Sequence, residues 1–310
     1  SPALQRSARL HSMTEPALPV PLLHAVPVHD ITMVCHEWRP ELRGRTPTLF
    51  MVHATGFHAR VWDQTIRRLP AWHVIAVDQR GHGRSTKTEI TGWAPFGRDL
   101  AACAAALDLK GLTGVGHSMG AHGLVQAAAY EPDRFARLML IDPVIASPQA
   151  YHAPPPVFPD GMHPAARRRS HFASVQEMLE RFGPRLPYRL FQPEALRDYC
   201  EHGVIAAADG QGVELACSPH TEARVYMTGR ANAGVYASIR ALDIPVRVVR
   251  AKLPTPERDP FDYSFSPTWP ALAGEFRHGT DVHLAEHSHF VPMEEVVQEA
   301  VNNLLRYPEW

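Results

Sequence analysis

The chain has 310 residues, 45% hydrophobic and 20% charged, with 31 basic against 32 acidic side chains and a formal net charge of −1. That balance suits a globular protein with ample core. It gives no long-range field, so neither nucleic acid nor an anionic membrane surface is an expected partner.

Cys35, Cys103, Cys200 and Cys217 lie far apart with no C-x-x-C, and read as reduced, buried thiols, so an intracellular, cytoplasmic protein is expected. The 29 prolines cluster in the first 30 residues and between Ser147 and Pro164, predicting a coil-rich entry and an irregular insertion. Arg6 and Arg9 precede the first acid, Glu15, so the leader reads as disordered, with a transit-peptide remnant as the alternative. The longest uncharged run, Gly111 to Tyr130, contains five glycines and two histidines, so no membrane span is expected.

Val26 to Trp38 alternates apolar and polar residues and predicts a hairpin. Thr48 to Val52 is a compact apolar run, predicted as a buried strand. Arg60 to Leu69 has helical spacing closed by Pro70, and His73 to Val77 predicts another strand. Phe96 to Leu109 is an alanine-rich helix with Leu100, Ala104 and Leu107 on one face. Leu112 to His117 reads as a strand, Ala121 to Tyr130 as a helix and Leu138 to Ile141 as a strand. Strands alternating with helices predict an α/β fold, a mostly parallel sheet with helices on both faces.

The rhythm stops near Val144. From Ser147 to Ala237 the chain is proline-rich, then helical at Phe172 to Phe182 and Pro193 to His202, with no clear strand. It resumes with a strand at Pro245 to Val249, a helix near Trp269 to Phe276, a strand at Asp281 to Ala285 and a C-terminal helix from Met293 to Leu305. The expected division is a core of residues 1–146 and 238–310, with a helical lid at 147–237.

Chemistry is concentrated in Gly116-His117-Ser118-Met119-Gly120, a G-x-S-x-G between a predicted strand and a predicted helix. A serine there occupies a strained turn, and a Cβ at Gly116 or Gly120 would collide with the neighbouring strand or helix. The turn lifts the hydroxyl out of the sheet, and free N–H groups at the helix start face a developing anion. Three further motifs sit at the carboxyl ends of predicted strands, where open α/β sheets build their sites. They are His53-Ala54-Thr55-Gly56-Phe57, Asp78-Gln79-Arg80-Gly81-His82-Gly83-Arg84-Ser85, and His287-Ser288-His289-Phe290-Val291-Pro292.

These four motifs, in this order, resemble the α/β-hydrolase fold over nearly the whole chain outside the leader and the insertion. The chain looks most like the lid-bearing hydrolases that include esterases, lactonases and C–C hydrolases. Relatives with an aspartate at the elbow are disfavoured by Ser118. The resemblance implies a cofactor-free serine mechanism on a small or medium apolar carboxylic ester or lactone, with Ser118 as nucleophile and His289 as base. C–C bond hydrolysis, or a receptor that binds a small molecule without turnover, are the alternatives. The oxyanion donors map onto the backbone N–H groups of Thr55 and Met119. Phe57 and His53 are expected at the substrate, and Met119 along the pocket wall.

The acid is the open point. The position after the Pro245–Val249 strand reads Ala251-Lys252-Leu253-Pro254, without a carboxylate. Asp142, at a strand tip, is preferred, with Asp262 as the alternative acid and Asp259 and Glu257 behind it. The Asp78–Ser85 loop is expected to brace the site through its glycines and an Asp–Arg arrangement. Arg167-Arg168-Arg169 reads as a solvated helix face. The His287/His289 pair has no third ligand in view, so no metal site is expected, and the sequence leaves a homodimer open.

Overall fold

The computed structural model describes residues 17–294 and Leu305. An eight-stranded sheet runs in the order β1 (Leu22–Val28), β2 (Ile31–Trp38), β4 (His73–Asp78), β3 (Thr48–Val52), β5 (Leu112–His117), β6 (Phe135–Ile141), β10 (Val246–Arg250) and β11 (Gly279–His283). β1 and β2 form the expected hairpin, β2 joins β4 antiparallel, and all later pairings are parallel. Every residue of β3, β4, β5 and β10 is buried, as befits strands covered on both faces.

Alternation along β3 divides the core. Phe50 and Val52 face the side where α2 (Ala94–Ala106) and α3 (Met119–Tyr130) pack. Leu49 and Met51 face a second cluster that includes Trp62 and Ile66, from the 3-10 turn Ala59–Trp62 and the short helix α1 (Asp63–Arg67). This second cluster continues into the segment between β6 and β10 through Phe172, Met178, Phe182, Phe191 and Tyr199.

That segment contains α4 (Val175–Phe182), α5 (Pro193–His202), α6 (Pro219–Thr228) and α7 (Val235–Ala241). It also contains a three-stranded antiparallel sheet, β7 (His171–Phe172), β9 (Val213–Leu215) and β8 (Val204–Ala206), where no strand was expected. Strands of two or three residues are too short to print a periodicity. The expected lid boundary at 237/238 falls inside α7, whose Val235 and Ile239 pack in the first core cluster.

Two expected helices are shorter. Arg60 to Leu69 splits into the 3-10 turn and α1, then tightens as Arg68 and Leu69 donate to Thr65 and Ile66 carbonyls. Trp269 to Phe276 forms only a 3-10 turn, Leu272–Glu275, consistent with Pro270 and Gly274 in its short span. Most of the expected C-terminal helix lies outside the described residues. The four cysteines are free and buried. Among the described residues no helix is long and apolar enough to cross a membrane.

Candidate active site

β5 ends at His117 and α3 begins at Met119, leaving Ser118 alone in the turn at φ 59°, ψ −120°. A non-glycine residue there is strained by roughly 1–3 kcal/mol and persists only where its surroundings enforce it. A Cβ on Gly116 would lie 2.6 Å from the Ala121 Cα. One on Gly120 would lie 2.3 Å from the His53 carbonyl oxygen and 2.6 Å from that of Val52. The helix start is therefore pressed against the end of β3. The Ser118 N–H donates to the Ile141 carbonyl at 3.0 Å, tying the turn to the tip of β6.

His289 reaches this turn from the loop after β11. Its Nε2 lies 2.8 Å from Ser118 Oγ and its Nδ1 2.5 Å from Asp142 Oδ2. The backbone around it is pinned twice: its N–H donates to Ser264 O at 2.8 Å, and its carbonyl accepts from His117 Nε2 at 2.7 Å. Burial, with the neighbouring His289 ring, lowers the His117 pKa to about 3, so His117 stays neutral with its proton on Nε2.

Asp142 sits one residue past β6, at φ 45°, where Asp is tolerated better than most residues. It is fully buried. Its Oδ1 accepts from the Ala251 N–H (2.9 Å), Ser266 Oγ (2.5 Å) and Thr268 Oγ1 (3.2 Å). Burial alone would raise its pKa. The hydrogen bonds and charge of His289, with those of Ser266 and Ala251, outweigh it and hold the carboxyl below the ordinary value. Ala251, the sequence position without an acid, supplies a backbone donor to the carboxylate that meets His289.

The alternative acids do other work. Asp262 Oδ1 accepts from the Ser264 N–H and Asp259 Oδ1 from the Phe261 N–H, so both shape the loop, while Glu257 is exposed. Sequence reasoning missed Ser266 and Thr268. A hydroxyl-rich Ser-x-Ser-x-Thr after an acid-free strand end was the available signal.

The N–H groups of Thr55 and Met119 have no acceptor among the described residues. The Thr55 turn is held by the loop after β4. Gln79 N–H donates to His53 Nε2 at 3.0 Å, Gln79 Nε2 to the His53 carbonyl at 2.7 Å, and Gly56 N–H to His82 Nε2 at 3.0 Å. Burial lowers the pKa of His53, and that of His82 to about 4, so both remain neutral acceptors. The expectation of His53 at the substrate is thereby corrected: it is fully buried, and its Nδ1 donates to its neighbour Ala54's carbonyl. Nor do Asp78 and Arg80 pair with each other. Asp78 accepts from His36, the Ala59 N–H and the Arg84 N–H, whereas Arg80 grips Asp99 and Asp30.

A cavity of about 360 Å³ adjoins the Thr55 turn. Thr55, Phe57, Arg168, Tyr199, Glu222 and Phe290 are among its lining residues. Met119 is fully buried and does not line it, contrary to expectation. Tyr188 and Tyr226 do line it, while Tyr151 and Tyr236 pack in the core. The arginine run is not a uniform solvated face. Arg167 and Arg169 point outward, but Arg168 turns in to bond Glu222 at 2.9 Å and Tyr199 Oη at 2.8 Å. Among the described residues, one group of metal-type donors converges within 4.8 Å: Asp63, Asp198 and His202. Arg60 already clasps both Asp63 oxygens there.

Comparison with known proteins matches residues 49–303 to the Alpha/beta hydrolase family. Lipase LipV of Mycobacterium tuberculosis is 38% identical over 101 residues, 31% of this chain and 36% of that protein. The 2-(acetamidomethylene)succinate hydrolase of Mesorhizobium japonicum is 36% identical over 103 residues, 32% of this chain and 37% of that protein. The alignments thus span well under half of these curated relatives. Among solved structures, E-2-(acetamidomethylene)succinate hydrolase superimposes with a TM-score of 0.66 at 22% identity, covering 92% of this chain and 99% of that one. The M. tuberculosis esterase Rv0045c gives 0.63 at 23% identity, over 98% and 97%. At such identities the likeness is one of fold.

Proposed function

The chain belongs to the alpha/beta hydrolase family, and from that premise we propose that it is a serine hydrolase cleaving a carboxylic ester or lactone through an acyl-enzyme on Ser118. The observation that carries this reading is the unbroken hydrogen-bond chain Ser118 Oγ, His289, Asp142, at 2.8 and 2.5 Å.

In this reading Ser118 Oγ attacks the substrate carbonyl as His289 Nε2 takes its proton. Asp142, kept ionised by its hydrogen bonds, holds the Nδ1–H tautomer and stabilises the imidazolium. Charge collects on the carbonyl oxygen, where the N–H groups of Thr55 and Met119 are available as donors. One such donor contributes about 3 kcal/mol in the transition state. The tetrahedral intermediate collapses, and His289 returns the proton to the departing alkoxide. A water activated by the same ring then releases the acid. Residues 147–237 act as a lid in this scheme, roofing the cavity with Arg168, Tyr188, Tyr199, Glu222 and Tyr226.

Turnover of short p-nitrophenyl esters and covalent labelling of Ser118 by a fluorophosphonate test the proposal. Both are expected in the native chain and absent in Ser118→Ala. A native chain that neither hydrolyses nor labels would sink it.

A further inference from the structure

Phe57, Leu186, Pro187, Phe261 and Phe290 give the cavity apolar wall, but it is not apolar throughout, as would suit a plain alkyl ester. Four tyrosines, Tyr188, Tyr199, Tyr226 and Tyr263, line it together with the Arg168–Glu222 ion pair. The pair is close to the Thr55 turn, since a Cβ at Gly56 would come within 3.3 Å of the Glu222 carboxyl carbon.

Both partners retain hydrogen-bonding capacity. Arg168 directs one N–H to Glu222 and two to Tyr188 and Tyr199, with its guanidinium 5.1 Å from the Phe182 ring centroid, which leaves two of its five N–H groups. Glu222 gives one oxygen to Arg168, and among the described residues the other receives only a long 3.5 Å contact from Tyr226 Oη. A ligand that fills this space with alkyl groups strips water from those atoms and returns nothing, which is the physical basis of strong discrimination against apolar analogues.

Charge narrows the class. Arg168 is already matched by Glu222, and Asp259 and Asp262 add negative charge to the lining, so an anionic group is opposed. A cationic group would compete with Arg168 for Glu222.

Building on the serine-hydrolase reading, we propose that the substrate carries, beyond its scissile carbonyl, a neutral group that both accepts and donates hydrogen bonds, an amide or a hydroxyl. Its oxygen accepts from Arg168 and its N–H or O–H donates to Glu222. This replaces the apolar substrate expected from the sequence.

The experiment compares isosteric p-nitrophenyl esters: the 4-acetamidobutanoate, the apolar 6-methylheptanoate, and the cationic 4-(trimethylammonio)butanoate, with monoadipate as the anion. A mirrored series places the same groups on the alcohol side and follows acid release. The amide ester is expected to exceed its alkyl isostere in kcat/KM by at least about tenfold in one series. An alkyl or charged ester that equals or beats the amide in both series overturns the proposal. The double variant Arg168→Met/Glu222→Leu, which removes both charges together, is expected to bring the amide-to-alkyl ratio close to one, and an unchanged ratio also overturns it. If that variant does not fold, the native ratio decides. Fluorophosphonate labelling of Ser118 reports separately on the serine chemistry, so labelling without an amide preference defeats this inference alone.

Discussion

The proposed reaction centre and the cavity near its Thr55 turn are built in opposite ways. At the centre, Ser118 and Asp142 lie immediately past β5 and β6, and the Thr55 turn follows β3, so the ends of adjacent parallel strands hold them. Much of the bracing is backbone: Ile141 O for Ser118, Val249 O and Ala251 N for Asp142, Ser264 O for His289. In the cavity, Arg168, Tyr199 and Glu222 come from separate parts of an irregular segment and meet only through their side chains. The contrast separates two tasks. In the proposed mechanism, backbone geometry of the sheet fixes the arrangement of the chemistry, and the segment between β6 and β10 shapes what can approach it.

The two regions should answer differently to substitution. Ser118→Ala is expected to lower kcat by roughly a million-fold in p-nitrophenyl ester hydrolysis. Asp142→Asn should cost roughly ten-thousand-fold while leaving the fold intact, because Asn suits the positive φ as well as Asp does. Asp262→Asn, whose Oδ1 accepts from the Ser264 N–H and not from His289, should stay within about twofold on a neutral ester. A dead Asp262→Asn beside an active Asp142→Asn would break the assignment.

Ser266→Ala removes one of the donors on Asp142 Oδ1 and should lower kcat by roughly tenfold, the kinetic equivalent of one hydrogen bond of about 1.4 kcal/mol. A KM change without a kcat change would mean Ser266 acts on binding instead.

Two carboxylates, Asp142 fully buried and Asp198 half-buried, carry the comparison into pH. Asp142 is held below its ordinary 3.8, so its stabilisation is complete above about pH 4 and is lost as pH falls toward the folded-state value. Asp198, on α5 where the segment meets α1, has one donor among the described residues, Gln64 Nε2, and burial raises its pKa to about 7. Its charge is therefore disfavoured in the folded state, and that penalty grows as pH rises from 3.8 to about 7. Asp198→Asn should accordingly raise Tm, by roughly 5 °C at pH 8 and by less at pH 5. Equal gains at both pH values in calorimetry would contradict the assignment.

Much of this was legible in the chain itself. The elbow announced itself because a serine between two obligatory glycines, flanked by an apolar strand and a small-residue helix, admits few other conformations. The strands β3 and β4 were readable because burial on both faces demands near-continuous apolar runs, and β5 because it leads into the elbow. Three-residue strands, the split at α1 and the inward turn of Arg168 left no periodic trace.

Sequence alone therefore determined the sheet, the strained serine and the histidine that follows the last strand, all of them local consequences of glycine, burial and spacing. Tertiary structure decided which carboxylate faces that histidine. Asp142 and Asp262 are equally acidic in the sequence, but only Asp142 lies at a strand tip beside Ala251, Ser266 and Thr268, whose hydrogen bonds keep a buried charge ionised. It also decided the character of the cavity, because Arg168 and Glu222 are 54 residues apart and become an ion pair only when the segment folds over the Thr55 turn.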